Sequence, residues 1–167
     1  MTSTISAPVS ISRFTPRRLY RVLAIAEAVT WTLLIAGMIL KYGFGVAESA
    51  ATVAGFMHGT IFIAYGASSI LVAMNQRWGV KLTVLAIVSA VVPYATIPFE
   101  MSVDRKGLLA GSWRTVGTDD PKDQTPIDRL FRWFLNRPVV FGVVLVLAVL
   151  AVLTVLLIVG PPGGSHN

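Results

Sequence analysis

The chain has no cysteine in 167 residues. Disulfides, thiolate metal sites and thiol nucleophiles are therefore excluded as sources of structure or chemistry. Charge is scarce as well: Asp, Glu, Lys and Arg make up 13% of the residues, against about a quarter in an ordinary soluble domain. Histidine occurs twice, at His58 and His166. His166 sits in the C-terminal tail and no carboxylate stands at ligand spacing from His58, so no metal site is expected. Nucleophile motifs, phosphate-binding loops and redox-cofactor signatures are missing. The fragment Gly43-Phe44-Gly45 is too short for a dinucleotide fingerprint. With a single histidine in the apolar segments, the chain also cannot ligate haem through two histidines. No catalytic residue, cofactor or enzymatic activity is expected.

What the chain has is long apolar runs. Hydrophobic residues make up 54% of it, at a mean hydropathy of +0.72, and they come in blocks of roughly 20, enough to cross a bilayer core of about 30 Å. The fold class expected is an all-α membrane protein. A three-helix transmembrane core is followed by a fourth, C-terminal transmembrane helix, which a short amphipathic interfacial helix precedes. Residues 1–16 read as a disordered tail rich in Ser and Thr, and 17–101 as the membrane domain, with helices at about 19–41, 50–74 and 82–100. Residues 102–137 form a hydrophilic connection with the amphipathic helix at about 126–136; Thr125 as N-cap and Pro126 at the first helical position mark its start. The last helix occupies 138–160, and 161–167 is a flexible tail. The first apolar block exceeds the roughly 7–15 residues of a signal-peptide core, so it is expected to be retained.

The net charge of +6 reports on topology and lipid headgroups before nucleic acid, and no nucleic-acid partner is expected. Arg13, Arg17, Arg18 and Arg21 precede the first helix and argue for a cytoplasmic N-terminus. Four crossings then put the 102–137 connection outside. That connection carries Arg105, Lys106, Arg114, Lys122, Arg129, Arg132 and Arg137, which conflicts with the same rule. A proline-broken third helix that re-enters without crossing removes the conflict; both arrangements stay open. Pro93 and Pro98 are each expected to bend or break the end of that helix.

The run GFMHGTIFIAYGASS at 55–69 carries the candidate site. His58, Tyr65 and Ser69 share a helical stripe with Phe62, and Glu27 lies in the preceding helix, with Thr30, Trp31 and Lys41 near its face. An ionised carboxylate in hydrocarbon costs several kcal/mol, so Glu27 should be protonated or partnered. Glu27 and His58 are placed at depths about 6 Å apart, within reach of each other directly or through Tyr65. They read either as a proton- or ligand-handling pair or as a buried bond that fixes helix packing. Ser89, Thr96 and Glu100 give the third helix a polar face of its own. Lys41 and Glu100 are expected to meet at the outer end. Gly55, Gly59 and Gly66 form a small-residue face suited to close helix approach.

Several of these pieces resemble the YdzA-like family of small bacterial, mainly actinobacterial, membrane proteins. They are Glu27 with Met38-Ile39-Leu40-Lys41-Tyr42, Gly55-Phe56-Met57-His58-Gly59 followed by Phe62 and Tyr65, Trp78, and Pro93 to Pro98-Phe99. The resemblance covers about 16–113. It implies a three-helix plasma-membrane domain without a known activity. The chain departs from it at Glu100, where the family often has glycine, and in its added last helix. The function expected is a structural or accessory subunit of a membrane complex, such as a respiratory assembly. Its partners would be the bilayer and other membrane subunits or further copies of itself. The alternative is a small proton- or solute-handling transporter using Glu27 and His58.

Overall fold

The computed structural model describes residues 15–46 and 48–159, and they form an all-helical fold without a strand. The expected tails at 1–16 and 161–167 fall almost entirely outside the described residues. Six helices follow in order: α1 (Pro16–Met38), α2 (Glu48–Gln76), α3 (Val80–Ser89), α4 (Thr96–Arg105), α5 (Pro126–Leu135) and α6 (Pro138–Val159). A π-helical turn at Ile39–Gly43 extends α1, and a 3-10 turn at Pro121–Gln124 leads into α5.

The start of α1 is set locally. The Thr15 hydroxyl accepts the Arg18 N–H at 3.2 Å, and Pro16 supplies a helical φ where its missing N–H costs nothing. Helices α1 and α2 form the main antiparallel pair. Their close approach lies at Gly37, where an added Cβ would stand 3.0 Å from Ala51 Cα. Among the expected packing glycines, Gly55 is near only Leu34, at 3.9 Å. A Cβ at Gly59 or Gly66 would meet nothing within 4 Å. The tight contact expected at the glycine-rich stripe is therefore made at Gly37 instead, because the stripe does not face α1 closely enough for a Cβ to matter.

The expected continuous helix at 82–100 is corrected by the structure. Helix α3 stops after ten residues, the chain turns through 90–95, and α4 runs back. Tyr94 takes a left-handed φ of 66° in this turn. The two prolines act differently because they stand at different helical positions. Pro93 lies in the turn. Pro98 is the third residue of α4, where the backbone N–H has no intrahelical acceptor in any case, so it does not disturb the helix. Trp31 Nε1 on α1 donates to Ala90 O at 3.2 Å, and the Thr32 and Tyr94 hydroxyls are 3.3 Å apart, which anchors the tip of this helical hairpin midway along α1.

The packing is polar inside and apolar outside. Glu27, Thr30, His58, Ser68, Ser69, Ser89, Thr96 and Glu100 are buried, while Val22, Ile25, Val29, Leu33, Val53, Phe56, Val84, Leu85 and Val88 face outward. Water would oppose such a distribution; lipid accommodates it. Two stretches, Pro16–Gly43 and Ser49–Gln76, are long and apolar enough to cross a membrane. At about 1.5 Å per residue, α3 and α4 each reach only about 15 Å.

Helix α5 begins as expected, with the Thr125 hydroxyl accepting the Asp128 N–H at 3.2 Å and donating to Asp128 Oδ2 at 2.8 Å. Phe131 is buried beneath it. Helix α6 follows directly and contacts α5 and α2.

Candidate functional site

Three polar clusters lie along α1. The middle one joins Glu27 and His58. Both side chains are buried, with Glu27 Oε2 3.7 Å from His58 Nδ1. Thr30 stands between them: its hydroxyl is 3.2 Å from His58 Nδ1, 3.5 Å from Glu27 Oε2 and 3.0 Å from Glu27 O. The i to i+3 spacing of Glu27 and Thr30 puts both on the face that meets α2. The Trp31 ring covers the imidazole at a centroid distance of 4.4 Å, and Phe62 lies on it at 6.1 Å. Glu27 Oε1 is buried without a hydrogen-bond partner among the described residues. The carboxyl group therefore has no strong charge-compensating contact, whereas an ionised group so deeply buried needs one.

The second cluster lies about two turns closer to the start of α1. The Tyr20 and Tyr65 hydroxyls are 2.7 Å apart, the Tyr65 hydroxyl is 3.1 Å from Ser89 Oγ, and the two phenol rings stack at 5.3 Å. Tyr65 thus ties α1, α2 and α3 together and does not bridge Glu27 to His58. Ser69 donates to the Tyr65 carbonyl of its own helix at 2.9 Å, and Thr96 donates to Ala24 O across the hairpin at 3.0 Å.

The third cluster is ionic. Arg17 grips Asp104 through two contacts of 2.7 Å, and Arg21 bonds Glu100 at 2.9 Å and Asp104 at 2.8 Å. The expected pairing of Lys41 with Glu100 is thereby overturned. Because α4 returns toward the start of α1, Glu100 lies at the opposite end of that helix from Lys41, whose ammonium instead stands 5.4 Å from the Tyr42 ring. The latch was not foreseen, although the sequence carried a signal. Arg17 and Arg21, and likewise Glu100 and Asp104, are each four residues apart, so the two pairs are complementary on facing helices.

A further network holds the connection between α4 and α5 to the same end. Arg114 caps α2 by donating to Met74 O at 2.7 Å and Asn75 O at 2.8 Å, and it also reaches Asp123 at 2.7 Å and Asp128 at 3.1 Å. Cations at a helix C-terminus satisfy its last carbonyls and complement its dipole. Arg77 binds Asp120 and Asp123, each at 2.5 Å, and Arg132 donates to Asp123 O. The Thr118 hydroxyl and N–H, followed by the Arg77 guanidinium, hold the Asp123 carboxyl well below the usual carboxylate range.

No group of three or more His, Cys, Asp or Glu among the described residues could hold a metal ion. Four grooves of about 310–460 Å³ are lined by residues other than Glu27, Thr30 and His58.

The family comparison covers the part of the chain that forms α1–α4. A family profile described as a domain of unknown function, DUF3817, matches residues 17–105, more than half of the chain. An inferred membrane protein of Streptomyces coelicolor is 40% identical over 93 residues, which are 55% of this chain and 11% of that protein. The chain thus spans about a tenth of that relative's length. No solved structure matches. These matches support membrane association and an uncharacterised membrane family; they do not carry the YdzA-like label itself. The matched stretch runs from Arg17 to Arg105 and so takes in both halves of the ionic latch, and the chain belongs to the DUF3817 family.

Proposed function

We propose that the protein is an accessory module of a larger membrane assembly, with no reaction of its own. The observation that carries this reading is the embedding of a closely similar stretch, 11% of the whole, in a far longer Streptomyces membrane protein. A unit that makes up about a tenth of a longer membrane protein works there beside other parts. The internal chemistry supports the same reading. Tyr20, Tyr65, Ser89 and Thr96 spend their hydrogen bonds on one another and on helix carbonyls, and the arginines of the latch are spent on Glu100 and Asp104.

In this reading α1 and α2 cross the membrane, the α3–α4 hairpin enters and leaves on one side, α5 lies at the headgroups and α6 crosses once. The N-terminus is cytoplasmic, and the connection after α4 is cytoplasmic with it. Arg17, Arg18, Arg21, Arg77, Lys81, Arg105, Lys106 and Arg114 then share one side, as basic residues do in short cytoplasmic segments. A hairpin arm of about 15 Å reaches half of a core about 30 Å thick. Its irregular turn is tolerated at that depth because Trp31 and neighbouring backbone groups satisfy it.

Mild-detergent extraction of native membranes tests the accessory role. The tagged chain is expected in a particle larger than its own 18.0 kDa and micelle account for, with a defined second component. A monodisperse single chain from native membranes would rule the role out.

One observation favours a second reading, a proton-handling carrier: Glu27 Oε1 is buried without a partner beside His58. In that case Glu27→Gln abolishes a proton-coupled flux in reconstituted vesicles while leaving assembly intact. Flux unaffected by the substitution removes this reading.

A further inference from the structure

We propose that the outer face of α4 is a binding site for one anionic phospholipid. Its phosphate lies at Arg105 and Lys106, and an acyl chain lies along Pro98 and Met101. The proposal rests on the membrane reading above and adds a ligand to it.

A groove of about 310 Å³ is lined by Pro98, Met101, Ser102, Arg105 and Lys106. Pro98, Met101, Ser102 and Arg105 follow one another at steps of three, one and three residues, which places them on a single helix face. All are exposed, whereas Thr96, Glu100 and Val103 on the other face are buried against the rest of the fold. Along the exposed face the chemistry changes in a fixed order: apolar at Pro98 and Met101, hydroxyl at Ser102, cationic at Arg105 and Lys106. The seven steps from Pro98 to Arg105 cover about 10 Å. A phospholipid has the same order over a similar distance, from acyl chain through glycerol to phosphate.

Charge selects the type of lipid. The two acids of α4 are already taken, Glu100 by Arg21 and Asp104 by Arg17 and Arg21. Arg105 and Lys106 have no ion pair among the described residues, so the rim of the groove holds two uncompensated positive charges. A zwitterionic headgroup would bring its own cation against them. A soluble phosphate would match the charge but leave the apolar floor uncovered. Basic pockets at the cytoplasmic surface select anionic headgroups for the same reasons.

The test uses the full chain, purified in detergent, with phosphatidylglycerol, phosphatidylcholine or inorganic phosphate added. Lipid retention is read by native mass spectrometry and stability by thermal unfolding. The wild type is expected to retain and be stabilised by phosphatidylglycerol over phosphatidylcholine, and not to respond to phosphate. The double variant Arg105→Gln/Lys106→Gln is expected to lose that preference by roughly tenfold or more. Arg105→Lys/Lys106→Arg keeps the charge and is expected to keep the preference, which guards against a trivial loss of fold. Met101→Trp fills the floor and is expected to weaken retention with both charges present. Lys81→Gln, which removes one positive charge from α3, is expected to have no effect on the preference.

Equal retention of the two lipids by the wild type, an unchanged preference in the double variant, an equal loss in Lys81→Gln, or stabilisation by phosphate alone would each overturn the site. Cysteine labelling at Ser112 separates this outcome from failure of the membrane reading. If Ser112→Cys still reacts on the same side as Arg18→Cys, only the lipid site falls.

Discussion

Two glutamates mark two differently built regions along α1. Glu100, at the charged end, is buried against Arg21 at 2.9 Å, and Asp104 beside it is held by Arg17 and Arg21. Glu27, about two turns deeper along α1, has His58 at 3.7 Å and one oxygen without a partner. The first region saturates its charges with arginine side chains that remain about half exposed. The second keeps an acid and an imidazole where no permanent cation stands close. Burial alone therefore does not describe the role of a carboxyl group in this fold. The cation within hydrogen-bond reach decides whether it is a structural rivet or a group with something left to do.

The largest effect is expected from breaking the rivet. Arg21→Met leaves Glu100 buried without its cation and should cost roughly 2–4 kcal/mol, read as a lower midpoint of thermal unfolding in detergent, with proteolysis starting in the α4–α5 connection. An unchanged midpoint would show that the two regions do not differ in the way described. Next is Gly37→Leu, which drives a side chain into the Ala51 backbone and should cost about 1–3 kcal/mol. Gly59→Leu, at a position open within the chain, should stay within about 0.5 kcal/mol for the isolated protein. Under the accessory reading it acts only on the assembled particle. A smaller effect is expected from Glu27→Gln, about 1 kcal/mol or less in either direction, because the carboxyl group makes no strong bond that the amide would lose. A loss as large as that of Arg21→Met would place Glu27 among the rivets.

Acid reaches the Asp123 network only at low pH. The folded Asp123 carboxyl lies below its unfolded value of about 3.9. Its contribution is therefore fully present above that value and is lost as pH falls through the lower, folded one. Hydrogen exchange of the 114–124 connection should be unchanged from pH 7 to 5 after correction for intrinsic rates, and should rise only below about pH 4. Loosening between pH 6 and 5 would contradict the pairing.

The two long helices and α5 were legible in the sequence because each has a purely local signature. Long apolar runs need only length, and α5 needs only Thr125, Pro126 and the spacing of its apolar residues. The hairpin was not legible in the same way. A 19-residue apolar run reads alike whether it crosses or turns back. Pro93 and Pro98 count equally until one knows that Pro98 falls in the first turn of a new helix. Fixing α3 and α4 as separate helices carried Glu100 from one end of α1 to the other and exchanged Lys41 for Arg21 as its neighbour. The proximity of Glu27 and His58 followed from depth along two antiparallel helices. Thr30 between them followed from helical spacing but was not singled out. Tyr20 was missed because, among arginines at a helix start, it reads as an interfacial anchor, whereas it is buried on Tyr65.

The return of α4 to the start of α1 underlies the latch, the shared side of the basic residues and the lipid groove. Because the chain lacks cysteine, single cysteines can report it without background. Arg18→Cys, Ser112→Cys and Tyr42→Cys, each at an exposed position, are to be labelled with a membrane-impermeant maleimide in intact cells and in inverted vesicles. Ser112 is expected to react together with Arg18, in inverted vesicles only, and Tyr42 in intact cells. Ser112 reacting in intact cells with Tyr42 would mean that the third apolar segment crosses the membrane, and the account would be wrong.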